Sequence, residues 1–402
     1  MTPQAIDPRR ARLALFGLVG ASFADALGAT MILPVVPLFL RQAGASYAEI
    51  GLVAAAFWGA GLLVGYPVGR LSDRLGRKRL IVVSQIVYAA ATAAFALSPS
   101  PLWFLALRAL QGGAAGAASV LAMAAVADVV APERRGRAYG SLTGANMTGT
   151  IAGPLIGATL FTISVALTFL ASALVALAVG GIVAWTLPRR GAGAPQRSAR
   201  RLGAAVFRNR AILGILLASA ALGLLIGMYD TLWSLLMHAR HASDFEIGLS
   251  FTLFALPFAL GSWPAGWLAD RMDNRWLVFV SLVAAAGFAA TYPFLPSPGW
   301  LIGLGVFEGI FTVTGAPARL AMLSRQVRPD EMGGVQGIYG SVQVGASAVA
   351  SALAGALFGV ALPLPFVATA AVMLAAAVGL WPLWRGVEGH PRRHPALGTV
   401  AE

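Results

Sequence analysis

The 402-residue chain has no cysteine, four histidines and only 11% charged residues, where soluble domains carry roughly 25%. Without cysteine there is no disulfide framework, thiolate metal site, iron–sulfur cluster or thiol catalysis. Two of the four histidines, His238 and His241, share one short loop, so no metal or cofactor is expected. The charge is too sparse to clothe a surface in water. At 58% hydrophobic residues and a mean hydropathy of +0.77, the chain is also too apolar to be disordered. These absences together leave an integral membrane protein. Acid is the scarcer charge, with 16 Asp and Glu against 29 Lys and Arg and a net +13. In a soluble protein that balance would suggest nucleic acid.

A helix needs about 20 apolar residues to cross the hydrocarbon. Twelve such stretches are expected, at 13–40, 50–68, 80–98, 101–127, 138–161, 164–186, 211–237, 247–265, 276–296, 299–323, 335–361 and 364–384. They are long and continuously apolar, unlike the ~10-residue alternating segments of a β-barrel. The basic start at Arg9, Arg10 and Arg12 resembles that of a signal peptide. The apolar run behind it is too long for one, so an uncleaved first span is expected. With both termini cytoplasmic, the inner segments hold 25 of the 29 Lys and Arg. The basic charge then follows the positive-inside rule and needs no nucleic-acid partner. The division expected is a six-helix bundle over 1–186, an arginine-rich cytoplasmic linker over 187–210, a second bundle over 211–385 and a cytoplasmic tail over 386–402. The linker should lie on an anionic leaflet.

The chain repeats itself. SYAEIGL at Ser46–Leu52 returns as SDFEIGL at Ser243–Leu249, displaced by 197 residues. The same displacement carries Gly69 to Arg74 onto Gly266 to Arg271 and Pro132-Glu133 onto Pro329-Asp330. Beyond that point a three-residue insertion would bring Tyr139-Gly140-Ser141 onto Tyr339-Gly340-Ser341. Six spans per half make the repeats parallel, which suits two bundles rocking about a midplane site.

GRLSDRLGRKR, Gly69 to Arg79, joins the second and third spans. Here Asp73, Arg74, Arg77 and Lys78 sit at a helix end, where ion pairs can break and re-form as bundles move. The segment resembles motif A of the major facilitator superfamily, and the likeness extends over essentially the whole chain. It implies an all-α membrane fold of two six-helix bundles, and a gate in which Gly69, Gly76 and Asp128 take part. In the second copy Gly76 and Arg77 become Asp273 and Asn274, which implies a weaker C-terminal gate. LGATMILPVVP, Leu27 to Pro37, is similar to the first-span motif of the twelve-span drug:proton antiporter branch. RALQGGAAGAA, Arg108 to Ala118, matches the family's fourth-span motif. TGTIAGPLIGA, Thr148 to Ala158, resembles its fifth-span antiporter motif. There Gly149, Gly153 and Gly157 make a flat face for helix contact, and Pro154 sets a kink.

Charge inside the spans is confined to the first, fourth, seventh and tenth: Asp25, Arg108, Asp230, Glu308 and Arg319. In the superfamily fold those four helices line the central cavity. A mid-membrane charge costs ~2.5–3.5 kcal/mol even on the lenient scale, so it should face water or a partner. At 1.5 Å rise per residue, Arg108 and Asp230 each lie ~10 Å below the outer face and could pair there. Asp25 and Glu308 lie deeper and are the expected proton carriers, because burial favours a carboxylate's neutral form. Tyr229, Trp233 and Phe311 could stack on a cationic solute, and Asn146 and Gln343 could hydrogen-bond it. With Arg319 set aside as nearer the cytoplasm, three acids against one base suit cationic or neutral amphipathic solutes.

No convergent nucleophile–base set and no Walker motif is present, so neither an enzyme nor an ATP-driven pump is expected. The resemblance implies a proton-coupled exporter of small amphipathic compounds in the cell inner membrane, working by alternating access as a monomer. Its partners would be the solute, protons and the lipid bilayer. A metabolite or sugar exporter on the same fold is the alternative.

Overall fold

The computed structural model describes residues 8–97, 100–131, 134–188, 208–328, 331–387 and 389. Most of the expected linker (189–207), most of the tail (390–402) and the repeated pairs Pro132-Glu133 and Pro329-Asp330 lie outside the described residues. Every regular element among the described residues is helical. The first span is Pro8–Met31 continued by Val35–Gln42. The second to sixth are Tyr47–Leu75, Arg77–Phe95, Pro101–Val129, Arg135–Ile163 and Val165–Thr186. The seventh to ninth are Arg210–Ala239, Asp244–Ala269 and Asn274–Thr291. The tenth is Pro298–Thr312 continued by Gly315–Gln326, and the last two are Met332–Val360 and Leu364–Leu383.

Eleven of these are long and apolar enough to cross a membrane. The fifth, at 29 residues, is long enough, but glycine, threonine and Asn146 dilute its hydropathy. Two spans expected to be continuous are broken. Pro34 has no N–H to give Thr30, and Pro317 has none for Val313, so each helix stops about one turn ahead of its proline and restarts at Val35 or Gly315.

In the first half, span one packs on five and six, span two on four, and span three on four and six. In the second half, seven packs on eleven and twelve, eight on ten, and nine on ten and twelve. The halves meet along two seams, two against eleven and five against eight.

The displacement of 197 holds through the last span. Ser22 Oγ donates to the Leu142 carbonyl at 3.2 Å and Ser219 Oγ to the Tyr339 carbonyl at 3.2 Å. Helices five and eleven are equally long, 29 residues each. The three-residue insertion expected from the two Tyr-Gly-Ser triplets is therefore absent. Three residues are nearly one helical turn, so the triplets share a face without sharing a register.

The repeated SxxEIGL segment also acquires a meaning. Ser46 with Glu49 and Ser243 with Glu246 each close a capping box that starts helices two and eight. Two residues on, a Cβ at Gly51 would strike the Ser351 carbonyl and Gly355. A Cβ at Gly248 would strike Ala158 and the Pro154 carbonyl. Pro154 and Ala158 lie 197 residues before Ser351 and Gly355, so the two seams are sealed by the same contact. Thr252 Oγ1 adds a hydrogen bond across the second seam, to the Ile151 carbonyl at 2.7 Å. All of this lies toward the face opposite the basic loops. Near the basic face, added Cβ atoms at Gly136, Gly140, Gly144, Gly266, Gly333, Gly337 and Gly340 would meet open space among the described residues. The close contacts between the halves are thus at the far face, and these glycines of the basic face make none.

Candidate transport cavity and gates

The first half encloses a cavity of about 220 Å³ beside Asp25, walled by Gln85, Ser119, Met123 and Asn146 from spans three, four and five. Gln85 Nε2 donates to Asp25 Oδ1 at 2.8 Å. Among the described residues the partner of this carboxylate is thus an amide, not a cation. A neutral donor orients the carboxyl without fixing its charge. Gln85 was missed by sequence reasoning, which singled out Asn146 and Gln343 among the neutral polar residues of the spans and passed over this one.

Glu308 is enclosed differently. It is 1% exposed and accepts from the Tyr292 hydroxyl at 2.7 Å and from the Tyr229 hydroxyl at 3.1 and 3.2 Å. Trp233 stands edge-on to Tyr292 at 4.8 Å and anchors its indole N–H on Ser250 Oγ at 2.8 Å. The aromatics expected to stack on solute therefore wall in a carboxylate. Phe311 is not among them: it is 52% exposed and packs on Phe288 of span nine, ring centroids 6.1 Å apart. Tyr292 was missed as well. The repeat places Glu308 on Gln111 and Tyr292 on Phe95, neither of which marks the pair, since Gln111 bonds Thr92 instead. Asn146 and Gln343 are likewise equivalents; the Gln343 carbonyl accepts from Ser347 at 3.1 Å.

Toward the far face, Arg108 is 8% exposed. It donates to Gln111 Oε1 at 3.0 Å and lies 4.3 Å over the Phe57 ring. Gln111 in turn donates to Thr92 Oγ1 at 2.8 Å. The neighbouring Trp58 hydrogen-bonds the Asp230 carboxylate of the second half. The expected ion pair of Arg108 with Asp230 is not formed within 4 Å. Their aromatic partners, Phe57 for Arg108 and Trp58 for Asp230, are consecutive residues of span two. Arg319, 2% exposed, donates through Nε to the Tyr339 hydroxyl at 3.0 Å.

At the basic face, Gly76 turns the chain at φ 85°, a conformation that favours glycine. Arg77 then ion-pairs with Asp128 at the end of span four. It also donates to the Ala124 carbonyl at 2.6 Å and reaches Asp73 at 3.8 Å. Lys78 caps span six through the Leu187 carbonyl at 2.7 Å. In the second half Arg275 stands at the Lys78 position and reaches the Trp384 carbonyl, the equivalent of Leu187, at 3.5 Å. The acid is not retained: Arg325 occupies the Asp128 position and Asn274 that of Arg77. Both donate to one main-chain acceptor, the Gly389 carbonyl, at 3.3 and 3.0 Å.

The fifth-span glycines turn toward span one. A Cβ at Gly149, Gly153 or Gly157 would strike the carbonyls of Phe23, Leu27 or Met31 in turn. They lock the first bundle, while Pro154 offers its carbonyl to the other half.

The family model described as Major Facilitator Superfamily matches residues 18–232 and 215–400. The class B tetracycline resistance protein of Escherichia coli is 26% identical over 359 residues, covering 85% of this chain and 87% of that protein. The class C protein of Escherichia coli is 28% identical over 335 residues, covering 81% and 84%. Among solved structures, an inward-facing, occupied bacterial homologue of the human lysosomal transporter Spinster superposes with a TM-score of 0.79. It is 17% identical and covers 94% of this chain and 97% of that one.

Proposed function

The chain belongs to the major facilitator superfamily, and from that premise we propose that it exports small amphipathic cationic or neutral compounds in exchange for protons. It is a multi-pass membrane protein and a secondary transporter. The positive-inside rule assigns the basic face to the cytoplasm, and the organism's inner membrane is the expected site.

The observation that carries the reading is Asp25: a carboxylate in a cavity near the membrane middle, held by an amide and with no cation at hand among the described residues. Solute enters from the cytoplasmic side while the bundles are parted there. A cationic solute and a proton both satisfy the same carboxylate, so binding one displaces the other. That competition is the simplest form of exchange. Closing the basic face draws the Arg77–Asp128–Asp73 cluster toward span eleven. Opening the far face withdraws Gly51 and Gly248 from their seats and separates Trp58 from Asp230. Glu308, within its phenol clasp, is a second proton-carrying position.

Two relatives named for tetracycline resistance make tetracycline the first solute to try. Inside-out vesicles bearing the protein should accumulate it when their lumen is made acidic and release it when the gradient is collapsed. Accumulation that ignores the proton gradient would remove proton coupling. A screen of amphipathic cations and neutral sugars in the same vesicles separates the drug class from a metabolite or sugar exporter.

A further inference from the structure

At the basic face, spans nine and twelve leave a cavity of about 230 Å³, walled by Trp276, Phe279, Trp381 and Trp384 and rimmed by Arg275 and Arg385. It lies on the outside of the second bundle, away from the central cavity. Trp276 and Trp381 stand edge to face 6.2 Å apart and are 52% and 65% exposed. In a membrane, that exposure is to lipid.

The internal repeat supplies a control. Moved back by 197 residues, Trp276, Phe279, Trp381, Trp384 and Arg385 become Arg79, Val82, Ala184, Leu187 and Pro188. The first half folds the same corner, with Lys78 on the Leu187 carbonyl, and has no aromatic residue at any of these five positions, although Trp185, 77% exposed, stands next to Ala184. Three of the chain's ten tryptophans thus stand where the fold does not call for them. Trp384 is buried, its indole N–H on the Ala211 carbonyl at 3.3 Å, and forms the floor. Trp276 and Trp381 form the open walls. Arg275 is neutralised by Asp273 at 2.6 Å. Arg385 is exposed, and no acid lines the cavity among the described residues.

We propose that this corner holds a phospholipid with an anionic headgroup, drawn from the cytoplasmic leaflet. The headgroup phosphate sits at Arg385, the glycerol region lies at the indoles, and an acyl chain lies along Trp276 and Phe279. Indoles sit by preference at headgroup level, and that leaflet is the anionic one. The proposal rests on the orientation given above. Labelling a cysteine placed at Gly386 in sealed vesicles of known sidedness reads that orientation separately.

Native mass spectrometry of the intact protein tests the site, with phosphatidylglycerol and phosphatidylcholine of matched chains supplied in equal amounts. A phosphatidylglycerol adduct should persist where the phosphatidylcholine adduct is lost. Arg385→Gln should weaken the adduct about five-fold, the weight of one arginine beside an anionic surface. Trp381→Ala should weaken it too, and Arg137→Gln, elsewhere on the basic face, should not. Equal retention of the two lipids, or adducts unchanged in both cavity variants, overturns the proposal. So does displacement by glycerol phosphate at matched concentration, which would make the site one for small anions. Because the readout is binding, failure here leaves the transport assay untouched.

Discussion

Asp25 and Glu308 are both buried acids, but their surroundings differ, and so should the first effect of changing each. Asp25 shares its cavity with an amide and open space, so its substitution should act on coupling. Asp25→Asn keeps the shape and the Gln85 contact but removes titration. It should abolish gradient-driven accumulation in inside-out vesicles while the protein still inserts. Asp25→Glu, which moves the carboxyl by ~1.5 Å, should keep part of the activity with a displaced pH optimum. Retained accumulation by the asparagine variant would exclude Asp25 as the coupling acid. Glu308 has no room around it, so a change in its clasp should register first as stability. Tyr292→Phe leaves an acceptor short of its 2.7 Å partner and should cost about 1–3 kcal/mol, seen as a lower melting temperature in detergent. The charged residues of these sites were legible in the sequence because charge is rare in a span. Their partners were not: Gln85, Trp58 and Tyr292 are neutral residues whose significance lies in what they face.

The helices themselves were largely written in hydropathy. The breaks within spans one and ten were not read, although Pro34 and Pro317 mark them. The repeat was legible as identity of letters and misleading as register, because glycine and serine recur at near-helical spacing in spans five and eleven. The antiporter motif was read as a packing face, and the structure gives that face its partner in span one. Gly153→Leu would drive a side chain into the Leu27 carbonyl, whereas Ala152, its neighbour, already carries a Cβ. The glycine variant should therefore lose transport, or leak protons, where Ala152→Leu is tolerated. Equal losses at both positions would mean that the contact is not specific. Ser46→Ala opens a capping box and should cost ~1 kcal/mol, measurable by thermal unfolding.

For the whole molecule, the relevant quantity is how the two bundles sit against each other. A Cβ at Gly359 would lie 3.9 Å from the Tyr47 Cβ across the far seam, within the range a disulfide spans. Tyr47→Cys with Gly359→Cys should cross-link in the closed state and stop transport, and a reductant should restore it; the chain's lack of cysteine keeps the background clean. Free turnover by the oxidised pair would mean that the far face does not open. At the other end, Asp73→Asn should arrest transport and alter the labelling of a cysteine placed beside Arg77. Unchanged transport and labelling would make the cluster ordinary surface charge. Alongside the Ala158 methyl and the Thr252 hydroxyl, the far seal brings main chain close to main chain, glycine facing carbonyl, at Gly51 and again at Gly248. Side-chain plugs can be breached one rotamer at a time, whereas two backbones part only when whole helices withdraw. Slippage, the escape of a proton without its solute, then has no half-open path at the far face, and its rate is capped by the rate at which the bundles swing.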